Sequence, residues 1–139
     1  MVEDQVIFHG HPNVQCLHNR AIEVTMDTNL TLRGDCIIGV GANKACKDLN
    51  PKLQNLLKTD NSFVRVSIIA GNLSCDLNGM GSSRLLLLDS RDIVIRKTSF
   101  ACSRTLCMNC DKSSSDISRE MVQMLKDPQT KGILNIIIE

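Results

Sequence analysis

Apolar side chains recur with period two through most of this chain, and only two stretches keep helical spacing. Period two puts alternate side chains on opposite faces of a strand, whereas spacings of three and four put them on one face of a helix. Val2 to His9 reads as a strand, with Val6 and Phe8 on one face and Ile7 on the other. Gly10-His11-Pro12-Asn13 ends it, because Pro12 keeps His11 out of helical backbone. Arg20 to Met26 alternates Ile22, Val24 and Met26 against Ala21, Glu23 and Thr25, the pattern of a half-buried strand. After turns at Asp27-Thr28-Asn29 and Arg33-Gly34-Asp35, Cys36 to Val40 reads as a short strand buried on both sides.

The first helix is predicted from Asn50-Pro51, a good N-cap followed by a proline whose missing N–H is not needed there. Leu53, Leu56 and Leu57 share one face, and a short helical turn is expected within 43–49. Residues 63–97 read as a β-meander. It has a hairpin at Gly71-Asn72, a turn over 78–81, a strand over Leu85 to Leu88 and another over Ile93 to Ile95. Residues 100–108 read as extended. A second helix is predicted from about Ser115 to Lys126, stopped by Pro128, before a final isoleucine-rich strand from Gly132 to Ile138 placed centrally in the sheet. No internal repeat stands out. The expected fold is α+β and β-dominated: a mostly antiparallel sheet or partly closed barrel with two helices packed on it.

With 139 residues, 42% hydrophobic, the chain has the size of a single domain over 1–139. Sixteen Lys and Arg against fifteen Asp and Glu leave +1, too little for bulk attraction to a polyanion. Three Phe, with no Tyr or Trp, argue against a row of base-stacking platforms and against an aromatic membrane belt. No apolar run approaches the ~20 residues of a membrane-spanning helix, so no membrane partner is expected. The first four residues lack a basic or apolar leader, which predicts the cytosol, or a nucleus reached by diffusion. Seven cysteines, an odd number, then read as reduced thiols.

Four constellations carry candidate chemistry. Cys107-Met108-Asn109-Cys110 has the spacing of a zinc or thiol–disulfide pair, but further ligands at comparable spacing are missing, so no metal or cofactor is expected. His9, His11 and His18 fall within ten residues and could serve as a metal pair or as acid–base groups. Gly39-Val40-Gly41-Ala42-Asn43-Lys44 reads either as a tight strand-to-helix turn or as a backbone anion site, without the spacing of a P-loop. Arg96 to Thr105 carries three cations and four hydroxyls, which suits a phosphate or carboxylate and equally suits a solvated loop.

Several motifs together resemble a known family. They are Gly10-His11-Pro12-Asn13, His18, Glu23-Val24-Thr25, Arg33-Gly34-Asp35-Cys36-Ile37-Ile38-Gly39-Val40 and Lys47-Asp48-Leu49, then Val94 to Phe100, Cys102 to Leu106, Asp111-Lys112 and Arg119-Glu120. In this order they are similar to domain-of-unknown-function family 371, over nearly the whole chain. The family has no established activity, so the resemblance implies membership and no function. Its polar pattern falls on His11, Asn13, His18, Glu23, Arg33, Asp35, Lys97, Arg104, Asp111 and Lys112. Cys110 stands where the family carries alanine, which sets the C-x-x-C pair outside any family-wide role.

Three functions follow as expectations. The first is binding of a small anionic ligand, or an RNA phosphate, by Asn13, Arg33, Lys97, Arg104, Thr105 and Lys112. The second is a small hydrolase using His11 or His18 with Asp35 or Asp111. The third is an oligomeric scaffold. The first requires that the loops around Arg33 and Arg104 meet in one pocket.

Overall fold

The alternation in the sequence is realised as two four-stranded sheets in a computed structural model covering residues 1–139. The strands are β1 (Val2–His9), β2 (Ala21–Thr25), β3 (Ile37–Gly39), β4 (Phe63–Ala70), β5 (Leu73–Met80), β6 (Asp92–Arg96), β7 (Thr105–Cys107) and β8 (Lys131–Ile138). The helices are α1 (Pro51–Leu57) and α2 (Arg119–Leu125), each preceded by a 3-10 turn, Cys46–Asp48 and Ser114–Asp116. One sheet has the order β1-β8-β4-β5 and is antiparallel throughout. The other has the order β3-β2-β6-β7, antiparallel only at its central β2–β6 pair and parallel at both edges. Isolated bridges at His9–Val40 and Met80–Met108 bring the edges of the two sheets together, short of a closed barrel. One continuous apolar core draws on both sheets and both helices.

The expected α+β, β-dominated fold is present. So are the Gly71-Asn72 hairpin, with Gly71 at φ 61°, and the central placement of β8.

The chain contains an internal repeat that its sequence hides. The order of three strands, a 3-10 turn, a helix and a strand occurs twice, β1 to β4 and β5 to β8. Exchanging β1 with β5, β2 with β6, β3 with β7 and β4 with β8 reproduces both sheet orders. Individual bonds repeat too. His9 N–H donates to Val40 O as Met80 N–H donates to Met108 O. Gly41 N–H donates to Asp27 O as Asn109 N–H donates to Thr98 O. Left-handed backbone recurs at Cys16 and Leu87 (both φ 53°) and at Gly41 and Asn109 (φ 60° and 52°). Few residue identities survive between the halves, because backbone pairing constrains side-chain volume and polarity only loosely.

Several expected elements differ, each for a local reason. Leu85 to Leu88 is no strand, because Leu87 adopts left-handed backbone. Residues 78–80 continue β5 instead of turning, because Asp111 accepts from Asn78 N–H and donates its own N–H to Asn78 O. Residues 100–108 are strand only at β7. The second helix is interrupted: Asp116 turns back to accept from Ser113 N–H, and Ser118, in extended backbone, caps a new helix by accepting from Met121 N–H. β2 is buried at all five positions, not on one face.

The halves share both sheets, since β1 pairs with β8 and β4 with β5. Residues 1–71 and 72–139 expressed separately will therefore show no cooperative unfolding by circular dichroism, and co-expression will restore it. Gly39 lies against the buried Phe8 ring, with no room for a Cβ. Gly39→Val will accordingly lower stability by about 1–3 kcal/mol in urea titration.

Candidate functional site

The repeat separates residues that build the fold from residues that one half has acquired. Asn43-Lys44 and Asp111-Lys112 occupy matching positions before the two 3-10 turns. Asn43 Oδ1 accepts from Ile7 N–H, and Asp111 Oδ1 accepts from Asn78 N–H, at 2.9 Å in both. Lys44 Nζ pairs with Asp4, and Lys112 Nζ donates to Asp76 O. Asp48 and Asp116 each accept from the backbone N–H that opens their own turn. Asp111 and Lys112, expected at a site, thus hold β5 in both of their contacts. The backbone N–H groups of Gly41, Ala42 and Asn43 are all donated within the fold, to Asp27, Thr25 and Ile7, which leaves no anion cradle there.

Both candidate histidines also have structural counterparts. His11 Nδ1 accepts from Asn13 N–H, as Ser82 Oγ accepts from Arg84 N–H. His18 Nδ1 accepts from Arg20 N–H, as Asp89 Oδ2 accepts from Arg91 N–H. Each caps a tight turn through its side chain. The ion pairs of the chain all use Lys or Arg, so neither histidine meets Asp35 or Asp111 as an acid–base pair would need.

None of the expected cations lines either groove of the structure. Lys97 pairs with Asp116 at 3.2 Å, and Arg104 pairs with Asp92 at 3.3 Å and Glu23 at 3.6 Å. Arg33 is exposed in its own turn, and Asn13 donates its side-chain N–H to Leu30 O. Thr105 is fully buried. Its hydroxyl accepts from Arg96 Nε at 2.9 Å and from Cys102 N–H at 3.2 Å.

What the structure does assemble is an open groove of about 720 Å³ lined by His18, Arg20, Ala21, Arg84, Arg96, Thr98, Ser99 and Phe100. Three arginines from three segments converge there, and no carboxylate lines it. Arg96 is held by Thr105 and lies over the Phe100 ring, 4.8 Å from its centroid. Arg84 donates to Ser99 O at 2.7 Å, and Arg20 is exposed and carries no ion pair. The polar run from Arg96 to Thr105 pointed to part of this lining. Arg20 and Arg84 carried no sequence signal, since single arginines in turns are commonplace. A second, shallower groove of about 240 Å³ borders Phe63, Asn78 and Asp111.

The matching positions in the other half have different charge. Asp89, Arg91, Asp92, Asn13, Thr25 and Asp27 stand where His18, Arg20, Ala21, Arg84, Arg96 and Thr98 line the groove. There Arg91 is spent on Asp27 and Asp92.

Beside β2 lies a buried ionic cluster. Glu23 is 8% exposed and Asp92 is 3% exposed, and the Arg104 guanidinium is divided between them. Burial, followed by the negative charge of Asp92, pushes the Glu23 carboxyl up to about 7 against the attraction of Arg104. Burial, with Glu23 nearby, also pushes the Cys36 thiol up to about 12. Because Glu23 titrates above its ordinary value of 4.5, the folded protein holds a proton that the unfolded chain releases. Its stabilising contribution is therefore full below about 4.5 and lost as pH rises through 7. Between those limits wild-type stability should fall by up to about 3 kcal/mol more than that of Glu23→Gln, measured by urea titration across pH.

The comparisons with known proteins agree with this layout in extent. A family profile described as "Domain of unknown function (DUF371)" matches residues 6–139. An uncharacterised protein of Methanocaldococcus jannaschii is 36% identical over 118 residues, spanning 85% of this chain and 87% of that protein. The groove, the buried ionic cluster and all of both repeats except the start of β1 lie within the matched residues, and the chain belongs to the DUF371 family.

Proposed function

We propose that this protein binds a small phosphate-bearing anion in the groove lined by Arg20, Arg84 and Arg96. The observation that supports this is the convergence of three guanidinium groups, with His18 and two hydroxyls, on a surface without a carboxylate. Guanidinium forks match phosphate oxygens bidentately. Arg96 is positioned in advance by Thr105 and Phe100, and Arg84 by Ser99, which lowers the ordering cost of binding. The other half of the repeat supports the same reading. Its backbone is the same, yet its arginine is neutralised by neighbouring carboxylates. The basic groove is therefore a property of these side chains, not of the fold. The site differs from the one expected from the sequence, because Lys97, Arg104 and Lys112 already have protein partners. No helix is long and apolar enough to cross a membrane.

Titration calorimetry with inorganic pyrophosphate will detect binding that weakens as salt is raised. Arg20→Ala, which removes an exposed side chain without an ion pair, will weaken it roughly tenfold, the scale of one charge-assisted contact. Arg33→Ala will leave it unchanged. Absence of binding, or equal binding by Arg20→Ala, overturns the reading.

A further inference from the structure

The groove contains one feature that a bare phosphate has no use for. Phe100 is 58% exposed at its edge, one of only two large exposed aromatic residues in the chain. Exposing a phenyl ring forgoes its burial, so its position beside three arginines calls for an explanation. Arg96 lies over the ring, and Phe100 is nonetheless more than half exposed. The backbone that carries the ring is held in place. Thr98 Oγ1 accepts from Phe100 N–H at 3.3 Å, and the buried Thr105 hydroxyl bonds Phe100 O at 3.4 Å and Arg96 Nε at 2.9 Å. An exposed aromatic plate on a fixed backbone is a stacking platform for a planar aromatic ring.

We infer that the groove takes a mononucleotide, with its base stacked on the exposed Phe100 ring and its phosphate held by Arg20 and Arg84. This rests on the anion-binding reading and narrows it to one ligand class. The volume of about 720 Å³ lies within the range of small-molecule sites. Thr98 and Ser99 also line the groove and supply hydroxyl-bearing side chains suited to the hydroxyls of a ribose. A single plate accommodates one base, and a net charge of +1 supplies little attraction for a long polyanion. Both favour a free nucleotide over an RNA strand. Every base has a π-face, so the platform discriminates weakly between purine and pyrimidine.

The test compares adenosine monophosphate, ribose 5-phosphate and a single-stranded oligoadenylate by calorimetry at one salt concentration. Adenosine monophosphate should bind roughly tenfold more tightly than ribose 5-phosphate, the scale of one stacked base. Phe100→Ala should abolish that difference, weakening adenosine monophosphate about tenfold more than ribose 5-phosphate, and Arg20→Ala should weaken both alike. Phe100→Leu, which retains apolar volume without the ring, should behave like Phe100→Ala and serves if the alanine variant fails to fold. Equal affinity for adenosine monophosphate and ribose 5-phosphate overturns the platform and leaves the anion site standing. Binding of neither overturns both. An oligoadenylate bound more than tenfold tighter than the mononucleotide overturns a free nucleotide in favour of RNA.

Discussion

The antiparallel pairing of β2 with β6, and of β4 with β8, joins the two halves of the repeat at the centre of each sheet. Neither half can complete a sheet with its own strands, since β1 pairs only with β8 and β4 lies between β5 and β8. The hairpin at Gly71-Asn72 carries the chain from one half into the other. This interleaving sets most of what surrounds it. It fixes which turns face each other, so that Lys97 N–H meets Arg20 O on one side of the β2–β6 pair and Met26 N–H meets Arg91 O on the other. The groove sits on the first of these two edges, with Arg20 from the approach to β2 and Arg96 from the end of β6.

Repetition within one chain also accounts for the placement of Cys107 and Cys110. Phe8 fills the core in the first half, where Gly39 and Gly132 make room for its ring. At the matching place in the second half, Gly79 takes the position of Phe8, and the thiols of Cys107 and Cys110 pack against it, 3.4 Å apart. The large ring and the thiol pair exchange volume across the pseudo-twofold relation. Close packing demands that such volumes be conserved in sum, though not residue by residue. The C-x-x-C spacing thus arises from two core-facing positions flanking a left-handed residue, Asn109, just as Gly39 and Ala42 flank Gly41.

The ionic cluster and the groove represent two ways of placing arginine. Arg104 is committed to two buried carboxylates, and burial together with the neighbouring Asp92 charge outweighs its attraction, which is why Glu23 retains a proton so readily. Arg20, Arg84 and Arg96 meet no acid, so their charge remains available to a ligand. A near-zero net charge is compatible with both, because formal charge sums over the chain whereas a site depends on what stands within a few ångströms.

Local pattern alone determined the α+β class, β1, α1 with its Asn50 cap, the Gly71-Asn72 hairpin and the central β8. These depend on side-chain periodicity, capping and turn chemistry, all of which act over a few residues. The motif residues also marked the family. Tertiary structure decided what those residues do. His11, His18, Asp111 and Lys112 carry polar groups that, on sequence grounds, suit catalysis or binding, yet each engages a backbone partner, the histidines through Nδ1 across a turn and Asp111 and Lys112 on β5. Arg20 and Arg84 lie far apart in sequence; the β2–β6 pairing sets the segment of Arg20 beside Arg96, and the bond from Arg84 to Ser99 O brings it to the same groove beside Phe100. The repeat was hidden for the same reason: hydrogen bonding between backbones preserves geometry while leaving side chains free to diverge, so it is legible in partners and not in residue identities.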